Sequence, residues 1–312
     1  VDCNLWHKDL TSLQSNQDGS TPLCILNEDA IEESNIVAML SPSSTLDEAR
    51  MGLKLLNSSD TSIPILTTVG VHPYHVNDAD ISLEQDVISM KDLVNDQYVC
   101  AVGECGLDAS DGFPPLSDQL PWFRVQVELA NECNKPLFIH ERLAFAETMN
   151  ILDSCTVPVI IHCFTGTQEE CKLYIERGYS LSVSGFILKD SSDGVRDCLK
   201  EGVIPLDKLM MEMDAPYMGF QGCRQHYPAM NDDSAVSLNS KKQKPLQNLV
   251  YPNVSSTLPI VLDEVVRLLN EGRMERGEEK WSKVEEVLQR EQVTRITTEN
   301  AIRFFKFEGI EL

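Results

Sequence analysis

Short apolar runs recur along the chain, separated by longer stretches in which apolar residues return every three or four positions. The runs are 1–5 (VDCNL), 36–40 (IVAML), 64–72 (PILTTVGVH), 98–104 (YVCAVGE), 136–140 (PLFIH), 158–162 (PVIIH), 180–185 (SLSVSG) and 208–214 (KLMMEMD). Near-continuous apolar character predicts strands buried on both faces, as in a parallel sheet covered by helices. The helical period is clearest over 116–134, where Leu116, Leu120, Phe123, Val127 and Ala130 share one face. Eight strands alternating with helices predict a closed (β/α)8 TIM barrel of the α/β class rather than an open sheet. The rhythm breaks at 221–256, a polar stretch read as a long loop after the eighth strand, and at 270–292, a charged stretch read as a solvated helix. With no repeat or low-complexity linker, residues 1–312 are expected to form a single domain, with C-terminal helices at about 257–308.

Five of these runs close on, or just before, a group able to bind a metal: His72, Glu104, His140, His162 and Asp214. In a (β/α)8 barrel the C-terminal strand ends open onto one face, so all five are expected at one mouth. A solitary His or Glu at a strand end is usually a satisfied loop residue. Several together, each after its own apolar run, predict a divalent-metal site with positions left for water or substrate.

Composition narrows the function classes. The chain has 312 residues, 42% hydrophobic, enough to bury a large core. Its ten cysteines are scattered without a C-x-x-C pair, which reads as reduced thiols rather than a disulfide framework or zinc knuckle. The opening VDCNL has no basic, apolar leader pattern, and no apolar stretch approaches the roughly 20 residues of a membrane span. A soluble, cytoplasmic protein is expected, with the nucleus as the alternative, no membrane association and no obligate protein partner. Forty-nine acidic against 26 basic residues leave a formal net charge of −23. Duplex binding rests on Lys and Arg neutralising phosphates, so this balance argues against tight sequence-independent duplex binding. It leaves room for an enzyme that engages one or two phosphates through a bound cation.

The strings GVHPY, AVGECGLD, PLFIHER, IIHCFTGT and MEMDAPY stand in an order and spacing that resembles the TatD-related family of metal-dependent deoxyribonucleases. QLPWFRVQVELANECNKPLFIH is similar to that family's Gln-containing helix leading into a strand, and TTENAIRFF to its C-terminal helix. The resemblance implies a (β/α)8 barrel that hydrolyses phosphodiesters with divalent metal, Mg2+ first and Zn2+ or Mn2+ as alternatives, on single-stranded DNA or RNA ends. It also implies metal ligation by Glu104, His140, His162 and Asp214, with Asp214 accepting the proton of the attacking water. Arg142 matches a recurring Arg, and His72 matches a His near the phosphate. His75 has no such match and reads as a loop histidine; Lys189 reads as a solvated lysine.

Two positions depart from the family pattern. Relatives that open with His-x-His hold a second metal there; this chain has Asp2 and Asn4, oxygen donors that predict a weaker, Mg-like second position. The acidic residue that follows Asn in the family is Val254 here. A hydrolase of another bond (amide, lactone or aminoacyl-tRNA ester) and an inactive scaffold are the competing readings.

Because a body at −23 repels polyanions, any nucleic-acid affinity should require divalent metal and Arg142 and should favour single-stranded ends over duplex. Filter binding at physiological salt with and without chelator checks this; tight metal-free duplex binding would contradict it.

Overall fold

The computed structural model describes Leu5 and residues 35–58, 63–189, 191–223, 250–251, 253–276 and 288–310. Seven strands lie there: β1 Met39–Ser41, β2 Ile65–Val69, β3 Val99–Asp108, β4 Leu137–Arg142, β5 Val159–His162, β6 Ser180–Val183 and β7 Leu209–Met211. They form one parallel sheet in chain order, β1 to β7. The eighth predicted strand, 1–5, lies outside the described residues except for Leu5, which is fully buried and donates its N–H to Ser41 Oγ at 3.1 Å. The sheet is therefore an α/β sheet of seven strands, without a pairing of β7 to β1 among the described residues. No described helix is long and apolar enough to cross a membrane, and the described cysteines are free thiols.

Side-chain alternation divides the core. Leu40, Ala101, Phe138, Ile160 and Met210 form a small cluster with Phe305 of the C-terminal helix Arg290–Phe305. The larger cluster takes the opposite parity, including Met39, Val102, Leu137, Ile139, Val159, Ile161 and Leu209, and packs against the helices between the strands. One step up the strands from the small cluster, on the same face, come His140 after Phe138, His162 after Ile160 and Glu212 after Met210. An apolar floor thus underlies a polar layer, and the Phe138 ring lies 4.7 Å from that of His162.

Strand β3 reaches this layer through an irregularity. Val102 pairs with Leu137 but Cys105 pairs with Ile139, so three steps on β3 match two on β4, a bulge. Strict alternation would put Glu104 on the face opposite Ala101. The bulge turns it to the same face, followed by Gly106 and Asp108. The predicted boundaries need correction accordingly. Of the five candidates only His162 ends its strand; His72 lies beyond β2, Glu104 and His140 lie within β3 and β4, and Asp214 follows β7 by three residues.

The helix expected at 116–134 is Leu116–Cys133, but its buried face includes two polar residues. Gln126 Oε1 accepts from Val71 N at 2.8 Å, and its Nε2 donates to Val71 O at 3.1 Å. Two turns earlier, Gln119 Oε1 accepts from Asp108 N at 2.8 Å and its Nε2 donates to Asp108 O at 2.7 Å. Each amide replaces a missing backbone partner where a strand leaves the sheet. The charged stretch 270–292 is also more embedded than a solvated helix. Its start belongs to helix Leu258–Glu275, where a Cβ on Gly272 would stand 1.7 Å from Lys200 O; residues 277–287 lie outside the described residues, as does most of the 221–256 loop.

Replacing Gln126 by Leu leaves the Val71 N–H and C=O buried without partners, so stability in urea unfolding should fall by about 1–3 kcal/mol. Glu132→Ala, on the exposed side of the same helix, should stay within about 0.5 kcal/mol of the parent.

Candidate metal centre

Glu104 is the hub of the polar layer. Its Oε1 stands 2.8 Å from His162 Nε2, 3.3 Å from His140 Nδ1 and 3.4 Å from His72 Nε2. The turn after β1 positions two of these residues: Ser43 O accepts from Glu104 N at 3.0 Å and Ser44 O from His72 N at 2.9 Å. Gly106 lets β4 approach, since a Cβ there would fall 1.9 Å from His140 O.

The far sides of two imidazoles carry carboxylates. His140 Nε2 is 2.7 Å from Asp108 Oδ2, and His162 Nδ1 is 3.2 Å from Glu212 Oε1. Both carboxylates are braced in turn: Asp108 Oδ1 accepts from Ser110 N at 2.7 Å, and Glu212 Oε2 from Ser182 Oγ at 2.8 Å. Acceptors that contain no proton fix where the ring protons sit. His140 donates from Nε2 and aims Nδ1 at Glu104; His162 donates from Nδ1 and aims Nε2 at Glu104.

His72 differs. Its Nδ1 accepts from Tyr74 N at 3.1 Å, so in the neutral ring the proton is on Nε2, facing Glu104. By distance alone His72, Glu104 and His140 form a group with ligand atoms within 4.8 Å of one another. The Tyr74 bond makes His72 a hydrogen-bond donor in this group rather than a lone-pair ligand. Ionisation agrees: burial pushes His72 down to about 3, against the pull of Glu104. Burial also opposes charge on His140, but the bonds to Asp108 and Glu104 win and raise it to about 9. Burial would raise Glu104, yet the surrounding imidazoles hold its carboxyl well below the usual range.

This donor set fits a divalent cation. His140 and His162 each turn a ring nitrogen to the buried Glu104 carboxylate, and each is oriented by a carboxylate behind it, the arrangement that metal-ligating histidines use.

The other candidates fall around this core. Asp214 sits in a left-handed conformation, φ 51°, in a turn held by Asn253, whose Nδ2 donates to Met213 O at 2.8 Å. It lies near enough to Cys163 and Lys189 to bias their ionisation. It is outside the compact group of three. Arg142 shares the face of His140 and pairs in register with Asp108. Lys189 is half-buried rather than solvated, its Nζ 3.5 Å from Met218 Sδ. His75 bonds Asp78 at 2.7 Å on an outer turn, as expected of a loop histidine. Asp2 and Asn4 lie outside the described residues. Asp108 and Glu212 were missed in the sequence, although each stands at an even spacing from a candidate, Asp108 from Glu104 and Glu212 from Asp214.

Residues 25–306 match the family described as TatD related DNase. The chain is 38% identical over 157 residues to a protein of Rahnella sp. (strain Y9602) named 3'-5' ssDNA/RNA exonuclease TatD, covering 49% of this chain and 57% of that one. It is 33% identical over 170 residues to the protein of that name from Erwinia billingiae (strain Eb661), covering 54% and 64%. The matched part thus spans somewhat more than half the length of these curated relatives. In backbone the chain is similar to a TatD family hydrolase of Entamoeba histolytica (TM-score 0.69, 19% identity, 97% and 96% of the two chains). It is similar also to an amidohydrolase from Saccharomyces cerevisiae (TM-score 0.70, 15% identity, 97% and 98%). At such identities the likeness speaks for the fold alone.

If Asp108 and Glu212 set the ring orientations, Asp108→Ala or Glu212→Ala should weaken divalent-metal binding by about 10- to 100-fold in calorimetric titration of stripped protein. His75→Ala should leave it unchanged.

Proposed function

The chain belongs to the TatD related DNase family, and we propose that it hydrolyses phosphodiester bonds at single-stranded ends of DNA or RNA with the help of a bound divalent cation. The observation that carries this reading is the pair of imidazoles, His140 and His162, each turned by a carboxylate toward the one buried carboxylate of Glu104. The naming of the curated relatives as 3'-5' ssDNA/RNA exonucleases supports the substrate class.

In this reading Glu104, His140, His162 and Asp214 hold the cation, Mg2+ by preference over Zn2+ or Mn2+. Asp2 and Asn4 offer oxygen donors to a second, weaker position. Leu5, buried against the end of β1, supports residues 1–5 as the eighth strand that closes a (β/α)8 barrel. When bound, a divalent cation lowers the pKa of its water and polarises a phosphoryl oxygen. The chain's own groups do the rest. Asp214, on its braced turn, accepts the proton of the attacking water. His72 presents a neutral N–H, so it can hydrogen-bond a non-bridging oxygen as negative charge builds there without needing to ionise. Arg142 supplies the fixed positive charge that His72 does not.

Full-length chain should release nucleotides from end-labelled single strands in Mg2+ and stop with chelator. Glu104→Ala and Asp214→Ala should abolish release, while Asn4→Ala should reduce it by the roughly 10- to 100-fold typical of supporting residues. Metal-dependent cleavage of an amide, lactone or aminoacyl ester in place of oligonucleotides would overturn the substrate assignment. An Asn4→Ala protein as dead as Asp214→Ala would overturn the weaker second position.

A further inference from the structure

The rim of the site exposes apolar surface that neither the fold nor the hydrolytic residues account for. Tyr74 is 53% exposed, Leu143 76% and Tyr217 44%. They lie two residues after His72, one after Arg142 and three after Asp214 respectively, so they come from three separate loops at the candidate site. Single exposed hydrophobes need no explanation, but Tyr74 belongs to a connected series of rings. Its ring meets Phe113 edge to face, centroids 5.3 Å apart at 81°. Phe113 in turn lies nearly parallel to His140, 6.1 Å away at 18°, and 6.0 Å from His72. His72 and His140 are 4.5 Å apart. Aromatic faces and edges therefore run without a break from solvent to the nitrogen cluster. The Tyr74 backbone N–H bond to His72 Nδ1, which caps the short turn Pro73–His75, ties the backbone that carries the outer ring to the inner cluster.

Charge decides what such a surface is for. A protein that grips a strand by its phosphates needs an excess of Lys and Arg, and this chain carries −23. Beyond the one phosphate that a cation and Arg142 engage, a strand end must gain its affinity from something other than its backbone. Unpaired bases have π-faces that stack on aromatic side chains with little regard to sequence, whereas paired bases have both faces covered. We infer that Tyr74, backed by Phe113, is the stacking platform for an unpaired nucleobase adjoining the bond to be cut, with Leu143 and Tyr217 extending the apolar rim. This inference rests on the nuclease reading above, and it assigns the preference for single strands to base stacking.

The test uses the full chain and short DNA and RNA oligonucleotides with 2-aminopurine at the end, whose fluorescence falls when the base stacks. With Ca2+ replacing Mg2+ to follow binding, the wild type should quench the terminal base, Tyr74→Ala should lose most of the quench, and Tyr74→Phe should keep it. With Mg2+, Tyr74→Ala should raise KM about 10-fold, within the range of base-on-aromatic stacking, and change kcat by less than about 2-fold, the pattern of lost ground-state binding. An abasic end should bind the wild type as weakly as a normal end binds Tyr74→Ala. The exposed position of Tyr74 makes misfolding a minor concern, and Tyr74→Phe controls for it. A wild type that cleaves single strands but whose quench and KM are indifferent to Tyr74→Ala overturns the platform alone. A wild type that neither binds nor cleaves them overturns the nuclease reading and the platform with it.

Discussion

A carboxylate buried among three imidazoles is the constraint on which the rest of this site depends. Taking the Glu104 anion out of water is costly unless hydrogen bonds and opposite charge replace its hydration. His72 does so with its Nε2–H, and a cation set between Glu104 and the lone pairs of His140 and His162 would do so from the other sides, provided that each ring offers the correct nitrogen. That requirement propagates outward: Asp108 must meet His140, Glu212 must meet His162, and the Tyr74 N–H must meet His72. The carboxylates behind the rings therefore have no freedom to drift, because a rotated imidazole would put an N–H where a cation needs a lone pair and leave Asp108 or Glu212 without its donor.

The sheet supplies the rigidity that this demands. In β4, in β5 and where β7 ends, an apolar residue stands one step below a polar one, so that Phe138, Ile160 and Met210 are packed under His140, His162 and Glu212, and Phe305 closes the underside. Close packing of the floor sets the height of the polar layer, since side chains one step apart on a strand face cannot move independently. Where strands leave the sheet and backbone groups lose partners, Gln119 and Gln126 restore them from a single helix. A charged residue at either place would bring an unpaired charge into the core; the neutral amide, with one donor group and one acceptor, satisfies both backbone groups at once.

Much of this was legible in the sequence, and the illegible parts have physical causes. Strand positions and the convergence of His72, Glu104, His140 and His162 followed from apolar runs and from the geometry of parallel sheets. Boundaries did not, because the polar residues that seemed to stop β3 and β4 continue the ladder on its inner face. The bulge in β3 is invisible to alternation, which would send Ala101 and Glu104 to opposite sides; only pairing with β4 reveals the extra step. Asp108 and Glu212 had a readable signal in their even spacing from Glu104 and Asp214, but a carboxylate four or two residues from another looks equally like a solvated strand end. Gln126 was expected only as part of a helix, since nothing in a helical period announces that a buried amide will reach a backbone 55 residues away.

The acidity of the body and the composition of the site then belong to one physical picture. Debye screening over roughly 8 Å at physiological salt would leave distant surface carboxylates little influence on a phosphate inside the proposed site, while they would still discourage a polyanion from lying along the surface. In the proposed reading, positive charge near the scissile phosphate would come from Arg142, from Lys189 and from a cation held by Glu104, His140 and His162. Beyond them, the rim offers Tyr74, Leu143 and Tyr217 rather than a row of cations. If the proposed nuclease reading holds, a surface with that distribution would discriminate by what can enter: a strand end with an exposed base face and one accessible phosphate would gain both kinds of contact, whereas a duplex flank would gain neither and would meet repulsion along its length.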